Sequence, residues 1–147
     1  MPTQCLSQPE DLVITPLQHR PHAARRILVA DDEPEIRLIN TAMLTQGGYK
    51  VDAAEDGYAA WEALTANGYD LLITDHSMPK VSGVELLRKL HAARMTLPVI
   101  MATGAVPSHE FVREPWLQPA AVLLKPYTSS ELLGTVEGVL RVTHGGQ

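Results

Sequence analysis

Cysteine is nearly absent from this chain. Cys5 is the only one in 147 residues, so no internal disulfide can form and no cysteine-type zinc site exists. It reads as an incidental residue of the N-terminal segment. Long apolar runs are also missing. The longest unbroken one, Ala120 to Leu124, has five residues, against the roughly 18 that a membrane-spanning helix needs. The N-terminus shows no charged start followed by an apolar block, so no signal peptide is read. A cytoplasmic protein with no membrane partner is therefore expected. His19, His22, His76, His91, His109 and His144 contain no HExxH or similar ligand spacing. Positive charge is in deficit. Twelve Lys+Arg stand against 17 Asp+Glu, for a net charge of -5 and a pI near 5.6. Direct nucleic-acid binding is not expected of such a chain. No internal repeat is visible.

What is present is a core. Apolar residues make up 45%, and the length favours one domain. Residues 1–25 stand apart as an N-terminal arm interrupted by Pro2, Pro9, Pro16 and Pro21, with no helical or strand period. His19, Arg20, His22, Arg25 and Arg26 give its end a mildly basic character. The plain reading is a solvated arm, and the sharper one is a docking segment for a partner. A regular domain is expected over residues 26–143, followed by a short tail over 144–147.

Within that domain apolar runs alternate with helical periodicity. Ile27-Leu28-Val29-Ala30 is an apolar run ended by acids, as in a buried strand. Ile36, Ile39, Met43 and Leu44 then recur at helical spacing, with Pro34 in the first turn and Gly47-Gly48 at the stop. Tyr49 to Ala54 is a weaker strand. Asp56 caps a helix with Ala60, Trp61 and Leu64, ending at Asn67-Gly68. Asp70 to Thr74 is a third strand. Ser82 with Glu85 makes a capping box before Leu86, Leu87 and Leu90. Pro98 to Ala102 is a fourth strand, followed by a short helix from Ser108 to about Glu114 that Pro115 and Pro119 limit. Ala120 to Leu124 is a fifth. Thr128 with Glu131 makes a second capping box, opening a helix with Leu132, Leu133, Val136, Val139 and Leu140. Five β-α alternations predict an α/β fold with a parallel sheet covered on both faces. Ligands of such sheets bind beyond the carboxyl ends of the strands.

A polar residue directly follows four of the five apolar runs. Asp31 and Asp32 follow the first, Asp75 the third, Thr103 the fourth and Lys125 the fifth. Three carboxylates at one edge repel unless a cation is present. An all-oxygen set with several acids suits a hard divalent ion such as Mg²⁺. A lysine supplies a point charge for a carboxylate or phosphoryl oxygen, and a threonine hydroxyl can donate to the same oxygens. That inventory fits phosphoryl transfer with one carboxylate as nucleophile.

The ordered set Arg26-Ile27-Leu28-Val29-Ala30-Asp31-Asp32-Glu33, Thr74-Asp75-His76-Ser77-Met78-Pro79, Ala102-Thr103-Gly104 and Leu124-Lys125-Pro126-Tyr127 resembles the receiver domain of two-component response regulators. The likeness spans about Arg26 to Val142. It implies a flavodoxin-like, doubly wound, five-stranded parallel sheet of order 2-1-3-4-5. It also implies Asp75 as phospho-acceptor, with Asp31, Asp32, Asp75 and the Ser77 backbone carbonyl holding Mg²⁺. Thr103 becomes the switch hydroxyl and Lys125 the partner of the phosphoryl oxygens, with a cis Lys125–Pro126 bond. The phosphoryl donor is then a histidine kinase or histidine phosphotransfer protein. Output passes by contact with a downstream protein from a stand-alone receiver, and a homodimer is compatible with that.

Two departures from the family pattern stand out. Val122 occupies the place, three residues before the lysine, where receivers usually carry the aromatic partner of the switch threonine. The segment between the fourth and fifth strands is also proline-rich, which predicts a short or displaced helix. Ser77 and Ala105 are small at positions that flank the attacking water in the family. His76 reads either as a loop residue or as a contributor to phosphoryl binding or partner contact. Two alternatives accompany the receiver reading. One is a pseudo-receiver that binds without accepting phosphate, and the other is an aspartyl-phosphate phosphohydrolase. The second would need an acid where Ser77 stands. The expectation is a signalling phospho-acceptor and not a turnover enzyme.

Overall fold

The apolar runs form strands in a computed structural model that describes residues 25–145. Most of the N-terminal arm, with Cys5, and the last two residues of the expected tail lie outside the described residues. The strands are β1 (Arg26–Ala30), β2 (Lys50–Ala54), β3 (Leu71–Thr74), β4 (Val99–Thr103) and β5 (Ala121–Leu124). The helices are α1 (Pro34–Gln46), α2 (Gly57–Ala66), α3 (Gly83–Ala92), α4 (Ser108–Arg113) and α5 (Ser129–Gly145). All pairings are parallel, in the order β2-β1-β3-β4-β5. The expected flavodoxin-like topology is the one observed.

Side chains alternate across a strand, so the sheet builds two cores. Leu28, Ala30, Leu72, Val99 and Met101 pack on one face with Ala60 and Leu64 of α2, Val84, Leu86, Leu87 and Leu90 of α3, and Phe111 of α4. Ile27, Val29, Leu71, Ile73, Ile100, Ala102 and Leu123 pack on the other, with Leu44 of α1 and Leu132, Val136, Val139 and Leu140 of α5. Burial on both faces explains the continuous apolar runs Ile27–Ala30 in β1, Leu71–Ile73 in β3 and Val99–Ala102 in β4.

Local chemistry sets the helix starts. The Asp56 carboxylate accepts from the Ala59 N–H at 2.8 Å. Both expected capping boxes are present, Ser82 with Glu85 and Thr128 with Glu131. Gly57 opens α2 against the loop after β3, where a Cβ would overlap the Val81 carbonyl. Gly83 opens α3 so close to the site that a Cβ would lie 2.5 Å from the Asp75 carbonyl oxygen.

Two details differ from the expectation. Ile39 is 53% exposed and does not belong to the buried stripe of α1, where the core-facing residues are Asn40 and Leu44. Positions four apart stack on one helix face, so Ile36, Asn40 and Leu44 share it and Ile39 falls beside it. On β5, Val122 and Leu124 point to the face that α4 leaves bare, and are 39% and 57% exposed. The short α4, expected from the prolines, is followed by a single 3-10 turn at Pro115–Leu117. That segment is held to α3. Arg88 donates twice to Glu114 Oε1, at 3.0 and 2.7 Å, and Trp116 lies on His91 with ring centres 4.3 Å apart.

Candidate functional site

Asp31, Asp75 and Lys125 each extend a strand by one ladder bond. The Asp31 N–H donates to the Ala54 carbonyl at 3.2 Å, Asp75 to Ala30 at 3.0 Å, and Lys125 to Thr103 at 3.0 Å. The side chains that follow the apolar runs are thereby held at the carboxyl edge of the sheet. Asp31, Asp75 and Thr103 are buried, at 2%, 7% and 1% exposure. Asp32 is exposed.

Asp31, Asp32 and Asp75 each offer a carboxylate oxygen to a cluster whose members lie within 4.8 Å of one another. Lys125 Nζ donates to Asp31 Oδ2 at 3.0 Å and to Asp75 Oδ2 at 3.2 Å. It also stands 3.5 Å from Glu33 Oε1 at the rim. The remaining oxygens are used as well. The Glu33 N–H donates to Asp31 Oδ1 at 2.9 Å and the His76 N–H to Asp75 Oδ1 at 2.7 Å. Arg37 Nη1, one turn into α1, donates to the Asp31 carbonyl at 2.8 Å.

Electrostatics follow from burial and pairing. Burial pushes the Asp31 carboxyl above its ordinary value, against the pull of the Glu33 N–H and Lys125, with the Asp75 charge adding to the rise. For Lys125 burial acts downward, but the hydrogen bonds and charges of Asp31 and Asp75 outweigh it and hold the ammonium above its ordinary value. The lysine stays charged, while burial and the neighbouring Asp75 make Asp31 harder to ionise than a free carboxylate. Three oxygen donors of which two are buried suit a hard divalent cation that keeps part of its water shell.

The structure brings Asp31, Asp32, Asp75 and Lys125 together as expected. It places Thr103 at the end of β4 with its hydroxyl turned to its own loop. That hydroxyl donates to the Ala105 carbonyl and accepts from the Ala105 N–H, both at 3.3 Å. Ser77 is exposed in the loop after Asp75, and His76 is half-buried. The Lys125–Pro126 bond is cis. Sequence reasoning gave no role to Glu33, Arg37, Asn40 or Tyr127. Asn40 Nδ2 donates to the Tyr127 hydroxyl oxygen at 2.8 Å. The available signal was a polar residue at a core position of α1.

Among the described residues no helix is long and apolar enough to cross a membrane. The family model described as the response regulator receiver domain matches residues 27–137. The sensor protein EvgS of Escherichia coli K12 is 38% identical over 120 residues, covering 80% of this chain and 10% of that protein. The transcriptional regulatory protein CusR of the same strain is 30% identical over 116 residues, covering 79% of this chain and 51% of that one. The chain thus spans a tenth to about half of these curated relatives. Among solved structures, the response regulator TrrA of Thermotoga maritima, in complex with Mg²⁺-BeF, has a TM-score of 0.69 at 30% identity, covering 78% of this chain and 98% of that one. A CheY-like receiver domain protein of Methanospirillum hungatei has a TM-score of 0.78 at 26% identity, covering 84% and 98%.

Proposed function

The chain belongs to the response regulator receiver domain family, and we propose that it accepts a phosphoryl group on Asp75 from the phosphohistidine of a histidine kinase or histidine phosphotransfer protein. The observation that carries this reading is the Lys125 ammonium set between Asp31 and Asp75, at 3.0 and 3.2 Å, beside the three-carboxylate cluster.

In this reading an Asp75 carboxylate oxygen attacks phosphorus in line. The new O–P bond forms as the P–N bond to the donor imidazole breaks, and the leaving imidazole takes a proton. Lys125 holds the Asp75 carboxylate in place and faces the charge that develops on the phosphoryl oxygens. Asp31, Asp32, Asp75 and the Ser77 carbonyl are the residues that would hold Mg²⁺, which when bound offsets negative charge on the transferring group. Thr103 exchanges its bonds to Ala105 for one to a phosphoryl oxygen. The product adds roughly -1.5 to -2 charge in a buried place, and so biases a two-state arrangement of the loops around it.

Output by contact with another protein is supported by the exposed apolar side chains of Val106, Val112, Trp116, Val122 and Leu124. Pairing of two copies over the same face fits that chemistry too. Ser77, in the position where a hydrolase of this type needs an acid, supports a signalling acceptor over a turnover enzyme.

The test is exposure to acetyl phosphate or phosphoramidate with Mg²⁺, read by intact mass. One added phosphoryl group that is lost in Asp75→Asn is expected. A folded protein that takes none, from small donors or from histidine kinases, is a pseudo-receiver. Steady turnover of a phosphate monoester would make it a phosphohydrolase.

A further inference from the structure

Asp31, Asn40, Asp56, Thr74, Asp75 and Thr103 are the buried polar side chains of the described residues. Five of them end a strand or cap a helix. Asn40 does neither. It sits in the middle of α1 at 2% exposure, where a buried amide without a partner is strongly disfavoured. Its partner is the Tyr127 hydroxyl oxygen, 2.8 Å away and 87 positions along the chain. Tyr127 packs against the core shared by α1 and α5, two residues after Lys125.

That location matters because β5, which delivers Lys125, is an edge strand with no neighbouring strand on its outer side among the described residues. Val122 and Leu124 show how little covers it, at 39% and 57% exposure. The backbone at the end of β5 is held by the ladder bond from Lys125 to Thr103. The Asn40–Tyr127 bond adds a tie to α1, the helix that grows out of the Asp31–Asp32 turn. The segment carrying the lysine is thereby tied to the helix rooted in the acids the lysine must meet. Electrostatics agree with this closeness. Burial pushes the Tyr127 hydroxyl up, the Asn40 bond and Lys125 pull it down, and Asp31 and Asp75 raise it.

We propose that Asn40 and Tyr127 are positioning residues that set the reach of the Lys125 ammonium to Asp31 and Asp75. The effect of the pair on phosphorylation rests on the acceptor reading above, whereas its effect on Lys125 does not.

The experiment compares Asn40→Leu, Tyr127→Phe and the double variant with the parent chain. The Lys125 side-chain ammonium is observed by nuclear magnetic resonance, assigned by its loss in Lys125→Arg. The rate of phosphorylation by phosphoramidate and the Mg²⁺ affinity are measured alongside. Each single variant is expected to move the Lys125 signal and to slow phosphorylation about tenfold, the scale of a modest misplacement in a reacting site. Mg²⁺ affinity is expected to hold within about twofold, and the double variant to be no slower than the worse single, as for residues acting as one unit. An unmoved Lys125 signal overturns the proposal. So does a rate equal to the parent's, or a Mg²⁺ affinity that falls in step with the rate. If the parent chain takes no phosphoryl group, the acceptor reading has failed and the Lys125 signal alone decides the role of the pair.

Discussion

Lys125 donates to Asp31 across 3.0 Å, although 94 positions separate them in the chain. Both side chains are largely buried, at 16% and 3% exposure, and the same ammonium also serves Asp75. Removing one partner of a buried pair is costly because the other charge is left uncompensated. The site therefore carries its own stand-in for a cation.

Lys125→Met is expected to lower stability by about 3 kcal/mol in the absence of divalent ions, the scale of a broken buried pair. Millimolar Mg²⁺ should restore much of it, because a ligand of the native state stabilises by mass action. The Mg²⁺-induced rise in melting temperature should thus be larger in the variant than in the parent. Equal rises would show that metal and lysine do not serve the same carboxylates.

Asp31 has a definite pH signature. Its folded pKa lies above the unfolded 3.8, chiefly through burial. The fold therefore binds this proton more readily than the unfolded chain, so the ionised group opposes folding at neutral pH. That opposition fades as pH falls through the folded pKa and is gone below the unfolded value. In urea titrations without Mg²⁺ the stability of Asp31→Asn relative to the parent should accordingly shift in the variant's favour as pH rises from 4 to 7, on top of a pH-independent cost for the lost bond to Lys125. A constant difference over that range would contradict the sign of the shift.

The start of α2 sets propensity against packing. Alanine exceeds glycine by roughly 1 kcal/mol inside helices, yet a Cβ on Gly57 would overlap the Val81 carbonyl. Gly57→Ala is expected to destabilise by about 1–3 kcal/mol, as overpacked positions do. Asp56→Ala next to it should cost about 1 kcal/mol through the lost cap. Urea midpoints of the two variants decide the matter, and a stabilised Gly57→Ala would mean the loop at Val81 yields freely.

Arg88 and Glu114 are half-exposed, at 38% and 29%, so their ion pair contributes no more than about 1 kcal/mol. Glu114→Ala should leave global stability nearly unchanged. Its effect is expected to be local, with faster amide exchange over residues 108–117 and an altered Trp116 emission as its stack on His91 loosens. Unchanged exchange in that segment would show that the pair does not hold the crossover to α3.

The order and type of the elements were legible because burial on both faces gives β1, β3 and β4 short continuous apolar runs. Asp31, Asp75, Thr103 and Lys125 were legible for a related reason. Each is a polar residue placed behind a short apolar run, at the carboxyl edge of the sheet. The inner face of α1 was misread at Ile39. Apolar spacing alone does not tell a core position from its neighbour, and the true core residue, Asn40, is polar. Its burial depends on a hydroxyl 87 positions away, which no local pattern contains.

By itself the sequence determined the alternation of strand and helix, the helix caps and the identity of the residues at the strand ends. These depend on neighbours within a few positions, where backbone geometry is set. Only the tertiary structure decided that Lys125 meets Asp31 and Asp75, that Asn40 meets Tyr127, and that Val122 and Leu124 stand uncovered. Those outcomes depend on which strands lie side by side and on how far the short α4 reaches, and both arise from packing the whole chain at once.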